Sequence, residues 1–253
     1  MKKQIIAFIT ILTMSISICI PTYAKNVPTV NSNNYVVKNT FDESLFNLET
    51  VKEIIFNSND NIEILVDNEN TLEFSRNGTI TTISFSLKDN VKTLVITEDT
   101  LKNVLELNTD NSVIYVDGCE ISYSETHEIS TVSDISPYAS WGSPFDIKKG
   151  KVSFEEKTLI QLTRVTLGML LTIYSQIPNP LADTAAGDII DKGLTLGYLD
   201  CEAVYYKSYK QLNSNNVEYR NAWAMYWDSS YKDYLKTYYQ TVISGNRIID
   251  EVI

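Results

Sequence analysis

The chain has 253 residues, 43% of them hydrophobic and 21% charged, with a formal net charge of −11 and a single histidine. No basic stripe is present to neutralise phosphates, which excludes nucleic acid as a partner. Length and composition suit one large globular domain or two smaller ones, without a low-complexity tract.

Lys2 and Lys3 begin the chain, an apolar run follows from Ile5 to Ile20, and Thr22-Tyr23-Ala24 places small residues where a signal peptidase reads. This predicts a signal peptide over 1–24, cut between Ala24 and Lys25, and a secreted protein. The run is short for a membrane span, which takes about 20 residues, and Pro21 follows it at once. A lipoprotein cut at Cys19 would put the bulky Ile18 before the lipidated cysteine.

Charge then divides the chain. Residues 25–136 carry 7 Lys or Arg against 19 Asp or Glu, whereas 137–253 carry 12 against 13, with all 3 Trp and 12 of the 16 Tyr. The reading is an acidic, β-rich, pro-like region over 25–125, an exposed linker over 126–137 and an aromatic-rich C-terminal domain over 138–253. The junction from Glu125 to Pro137 is polar and turn-rich, fit for proteolysis or for a surface loop within one domain.

Ile62–Val66, Thr79–Leu87, Val91–Thr97 and Val113–Val116 are predicted strands, separated by turn residues such as Asn77-Gly78 and Asp117-Gly118. Phe41–Phe56 and Glu98–Leu107 are candidate short helices capping that sheet. Ser153-Phe-Glu-Glu156 resembles a capping box for a helix over Thr158–Ile177. Leu159, Leu162, Met169, Leu170, Ile173 and Ile177 share one side of it, with Gln161, Arg164, Gly168, Thr172 and Ser175 opposite. After Pro178, Asn179 is a candidate cap for a second helix, Leu181–Leu196, making an antiparallel helical hairpin. Cys201–Gln211 and Val217–Trp227 read as a Tyr/Trp-rich β-hairpin, with helix open for the 198–243 segment, and Ser230–Asp233 as a cap for one short turn. The fold class expected is α+β.

Motifs for catalysis are absent: His127 lies in the expected linker, and no zinc spacing or phosphate loop is present. Asp188 with Asp191 and Asp228 with Asp233 are carboxylate pairs more in keeping with a surface than with glycoside chemistry. Asp60 and Asp67 lack the spacing of a calcium loop and read as turn residues. No enzyme, cofactor or metal is expected. Cys119 and Cys201 either form a disulfide or remain isolated thiols.

The segment 158–177 is the more informative one. Its aliphatic side chains contribute about −3 to −6 kcal/mol to bilayer insertion and Arg164 costs about +2.5 to +3.5, a balance near zero once the other polar groups are counted. Gly193 and Gly197 have the spacing that lets helices approach closely in lipid. The hairpin serves equally as the core of a soluble domain.

A signal peptide, an acidic region, then Ser136-Pro-Tyr-Ala-Ser-Trp-Gly142 and Ala224-Met-Tyr-Trp-Asp-Ser-Ser-Tyr-Lys-Asp-Tyr234 within an aromatic-rich stretch of about 117 residues resemble the geobacillin type of large, unmodified secreted bacteriocins. The resemblance implies secretion, proteolytic separation of the halves and killing of Gram-positive relatives; it transfers no functional residue. The expected function is a precursor whose C-terminal part acts on bacterial membranes or the cell envelope after release near Ile135–Ala139. The alternative is a secreted, non-catalytic module that binds a cell wall or host surface.

Overall fold

Among the described residues strands outnumber helices, and those between residues 62 and 120 follow one another through tight turns. The structure, a computed structural model, describes residues 35–37, 41–56, 60–128, 141–154, 157–198, 200–213, 218–243 and 247–252. The expected signal peptide, with Ala24 and Lys25, lies outside the described residues, as does the expected cleavage region at 135–139.

After β1 (Tyr35–Val37) and α1 (Leu48–Phe56), the strands β2 (Ile62–Asp67), β3 (Thr71–Arg76), β4 (Thr79–Lys88), β5 (Val91–Glu98), β6 (Leu101–Asn108), β7 (Val113–Val116) and β8 (Cys119–Glu120) form an antiparallel meander in sequence order. Asn77 and Gly78, at φ 52° and 89°, and Asp117 and Gly118, at 51° and 80°, supply the paired left-handed residues that match hairpin turns to strand twist. The candidate helix at Glu98–Leu107 is instead β6. Its Asn103, Leu105 and Leu107 alternate into the core while Thr93 and Tyr115 on the flanking strands pair with Glu106, so period-two burial overrides local helix propensity.

The second sheet runs β1–β9–β10–β11–β12–β13–β14, with β9 at Ser122–Glu128, β10 at Phe145–Ser153, β11 at Ala203–Leu212, β12 at Tyr219–Tyr226, β13 at Tyr234–Ile243 and β14 at Arg247–Val252. Within 198–243 the aromatic runs Ala203–Leu212, Tyr219–Tyr226 and Tyr234–Ile243 are thus strands, and β11 with β12 is the expected hairpin. This sheet corrects the expected organisation. Glu125–Glu128 is not exposed linker but strand, paired with Ile147–Gly150, and Glu125 is 8% exposed. β1 and β9 come from the acidic region yet belong to the same sheet as the aromatic strands, and Ser32–Ile253 cluster as a single compact unit.

Between the sheets lies a helical layer: α1, α2 (Arg164–Leu170) continuing into a π-helical turn at Leu171–Ser175, and α3 (Asn179–Leu196). Ser153 ends β10 rather than capping a helix, because its backbone is already committed to Ala203 and Ser122. The α2 cap is Thr163, whose hydroxyl accepts from the Thr166 amide at 3.1 Å. Pro178, not Asn179, occupies the α3 cap; the Asn179 amide reaches the Glu53 carboxylate at 2.6 Å. Ser230–Asp233 caps no helix: Asp228 accepts from the Lys232 and Asp233 amides at 3.0 and 2.7 Å and closes a turn between β12 and β13.

Candidate binding face on the aromatic sheet

Six residues expected on a membrane-active face are core. Leu159, Leu162, Met169, Leu170, Ile173 and Ile177 are each at most 2% exposed, within one apolar cluster that spans both sheets. Arg164, the charged member of the expected polar stripe, is equally committed. Arg164 donates to Asp183 Oδ2 at 2.6 Å and forms an ion pair with Asp60 Oδ2 at 2.8 Å, and Arg76 from β3 donates to Asp183 Oδ1 at 2.7 Å. Among the described residues no helix is long and apolar enough to cross a membrane.

Gly193 and Gly197 do not form a helix contact of the expected kind. Gly197, at φ 80°, ends α3 by donating its amide to the Gly193 carbonyl at 2.9 Å. Close helix approach falls instead at Gly168, where a Cβ would lie 3.4 Å from Ile54, and Gly187, where it would lie 2.8 Å from the Arg164 guanidinium. Cys119 and Cys201 are both free thiols. Burial pushes the Cys201 thiol up, and its carbonyl is occupied by the Leu159 amide at 2.9 Å.

The remaining expected groups have structural partners. Asp60 meets Arg164, and Asp67 meets Lys52 at 2.7 Å. Asp188 accepts from Lys236 and the Tyr238 hydroxyl, both at 2.9 Å. Asp233 accepts from the Tyr198 hydroxyl. His127 is not a solvated loop residue. It stands on β9, with Nε2 2.5 Å from Asp146 Oδ1.

Pleating sorts the aromatic strands into two faces. Val204 and Tyr206 on β11, Trp223 and Met225 on β12, and Tyr238 on β13 point at the helices and are buried. The opposite positions, Tyr205, Lys207, Tyr209, Arg220, Tyr226, Tyr234 and Tyr239, share the outer face. Ala222 and Ala224 on the central strand stand opposite Tyr209 and Lys207, so small residues leave room for rings from both neighbours.

Two clusters result. In the first, Lys207 Nζ lies 5.0 Å from the Tyr226 ring centre and 4.9 Å from that of Tyr231, while Tyr226 meets Tyr231 edge-on at 5.4 Å and Tyr234 at 5.8 Å. Tyr231 holds φ 55°, a strained value for a bulky residue, because the Asp228 turn fixes it. Burial, with Lys149 nearby, pulls the Lys207 ammonium below its ordinary value. Burial pushes the Tyr226 and Tyr231 hydroxyls up, so both remain neutral donors in neutral solution. In the second cluster the Arg220 guanidinium is 4.1 Å from the Tyr239 ring centre and 4.4 Å from that of Trp141, and its Nε donates to Gln211 at 2.9 Å. The cations hold the rings in fixed poses on this face. Tyrosine enrichment over 198–243 pointed to these strands; the lysine and arginine interleaving is legible only once register is known.

No family model matches the chain, and neither a curated protein nor a solved structure matches it.

Proposed function

We propose that the chain is an exported, non-catalytic module that docks on bacterial cell-wall glycan through the outer face of the aromatic sheet. The supporting observation is the cluster of Tyr205, Tyr226, Tyr231 and Tyr234 around Lys207, with Tyr234 51% exposed. Rings pre-set by cation–π contacts lose little rotamer freedom on binding and offer both flat apolar faces and hydroxyl donors. The Asp228 turn adds a reason for a strained tyrosine to sit there.

Membrane action by the helical hairpin asks for the core to open. Fully burying a large apolar side chain is worth about 1.5–3 kcal/mol, so exposing six of them costs roughly 9–18 kcal/mol, comparable with the whole stability of a domain. Binding by the intact outer face carries no such cost.

The test is co-sedimentation of the exported chain with insoluble, protein-free Gram-positive cell walls. Tyr226→Ala together with Tyr231→Ala should weaken binding at least about tenfold while the fold survives, as a loss above about 1.4 kcal/mol requires. Equal sedimentation of variant and parent refutes the reading. Dye release from liposomes by the intact chain would restore the antibacterial, membrane-acting one.

A further inference from the structure

The helical hairpin covers only part of the inner face of the aromatic sheet. It ends at Gln176 and Pro178, and beyond it inward positions of three strands become polar: Ser208 and Lys210 on β11, Asn221 on β12, Gln240 on β13. These side chains, with Trp223 and Asp146, line an open cavity of about 320 Å³. That volume is at the lower end for small-molecule sites, about 300–1,000 Å³.

Two backbone irregularities converge on it. Gln176 adopts φ 55° and follows the π-helical turn Leu171–Ser175, a rare feature concentrated at functional positions. Asp146 adopts φ 54° within the irregular register between Phe145 and Lys148. Glutamine lacks the short side chain with which Asn and Asp tolerate this region, so the conformation of Gln176 is imposed by its surroundings.

The lining holds Asp146, Lys148 and Lys210, and the buried carboxylate of Glu125 behind it answers the second lysine. Lys210 Nζ lies 2.7 Å from Asp146 Oδ2, and His127 meets the other oxygen at 2.5 Å. Lys148 Nζ lies 3.4 Å from Glu125 Oε1. The Lys210 hydrogen bond, then His127, holds the Asp146 carboxyl below its ordinary value, so it presents acceptors only. Each lysine thus answers a carboxylate, which leaves no excess charge to attract an anion. Asn221, Gln240 and Ser208 each supply both a donor and an acceptor, the pairing that a hydroxyl requires. Trp223 forms a rigid apolar wall, because its indole N–H donates to the Ser175 carbonyl at 3.1 Å.

We infer that this cavity is a second binding site, for a neutral saccharide of one or two rings, with Trp223 as the apolar wall and Asp146, Asn221 and Gln240 as hydroxyl partners. It lies on the opposite face from the docking cluster and does not depend on it. The experiment titrates the exported chain by calorimetry and tryptophan fluorescence with glucose, galactose, N-acetylglucosamine and their β-1,4-linked disaccharides, with sodium phosphate and acetate as anionic controls. At least one neutral saccharide should bind saturably. Asn221→Leu and Gln240→Leu should each weaken that binding about tenfold or more without lowering the melting temperature, while Tyr226→Ala leaves it intact. The proposal is overturned if no saccharide saturates, if only the anions bind, or if binding survives both pocket variants. Loss of saccharide binding on Tyr226→Ala alone also overturns it and assigns the sugar to the outer face.

Discussion

Asp183→Ala removes the centre of the charged cluster that ties the acidic strands to the helices. Asp183 is fully buried, and its two oxygens take Arg76 at 2.7 Å and Arg164 at 2.6 Å. Burial pushes its carboxyl up while the two guanidiniums pull it down, and contacts this short keep it ionised at neutral pH. Arg164 retains Asp60 at 2.8 Å when the carboxylate is gone; Arg76, 8% exposed, retains Asp60 at 3.6 Å, the nearby Glu98 carboxylate and the face of the Phe74 ring at 5.6 Å. Breaking a buried pair by removing one partner costs about 3–5 kcal/mol, chiefly because a charge is left uncompensated. For a unit of this size about 2–4 °C of melting temperature follows each kcal/mol, so the variant should melt roughly 6–20 °C lower. Urea unfolding followed by circular dichroism measures it at pH 7. A triple replacement of Arg76, Arg164 and Asp183 by Leu should recover much of the loss, since no buried charge then remains. A loss below about 1 kcal/mol for Asp183→Ala would mean that water reaches the two guanidiniums, and the reasoning fails.

Gly150→Ala places a Cβ 2.3 Å from the buried Tyr206 ring, whose hydroxyl is fixed on Glu125 at 2.8 Å; calorimetry should show a loss of about 1–3 kcal/mol, and none if the ring yields freely. Glu98 carries an unpartnered buried oxygen, and burial pushes its carboxyl up. A folded value above the unfolded one means stability is full at acid pH and is lost as pH rises through the raised value. Glu98→Gln should therefore melt above the parent at pH 7 and level with it near pH 4, about the ordinary glutamate value; a lead that persists at pH 4 refutes this. A protease site inserted between Glu128 and Trp141 should yield two fragments that still co-elute on native size exclusion and part only in denaturant, because β9 stays paired with β10 and Arg76 with Asp183; spontaneous separation would reinstate a releasable pro-region.

What was legible in the sequence is what local chemistry dictates. β2, β4, β5 and β7 follow from alternation closed by left-handed Asn, Asp and Gly, and α3 follows from small residues after Pro178 and Pro180. β6 was missed because Leu101-Lys-Asn-Val-Leu-Glu-Leu-Asn108 fits both periods, and only its neighbours on β5 and β7 decide. The segment 158–177 was read as one helix because its apolar spacing is helical throughout. Buried on all sides from Val165 to Ser175, however, it breaks into α2 and a π-turn that delivers Ser175 and Gln176 to the sheet. The candidate sites were legible only as composition. Tyr205, Tyr226 and Tyr231 announce an aromatic surface, but their convergence on Lys207 needs the β11–β12 register and the Asp228 turn. His127 and Asp146 meet only because β9 and β10 pair, across the stretch that polarity had suggested was a linker.

That pairing changes the meaning of the charge asymmetry. A region with a large excess of carboxylates looks like a detachable shield when weighed as composition. In the fold, several of those carboxylates are internal counter-ions to the second region: Asp60 for Arg164, Asp117 for Lys157 at 2.9 Å, Glu125 for Lys148 and Glu128 for Lys149 at 2.6 Å. Asn103 joins the same seam, donating to the Gln161 carbonyl at 2.9 Å and accepting the Thr163 amide at 2.8 Å while 1% exposed. For the buried members, Asn103 and Glu125, an unmade contact strands a polar group in a dry site; the half-exposed pairs add register rather than much stability. The acidic strands are therefore half of the scaffold that holds β9 and β10 in place, and the aromatic face and the cavity behind it both depend on their staying.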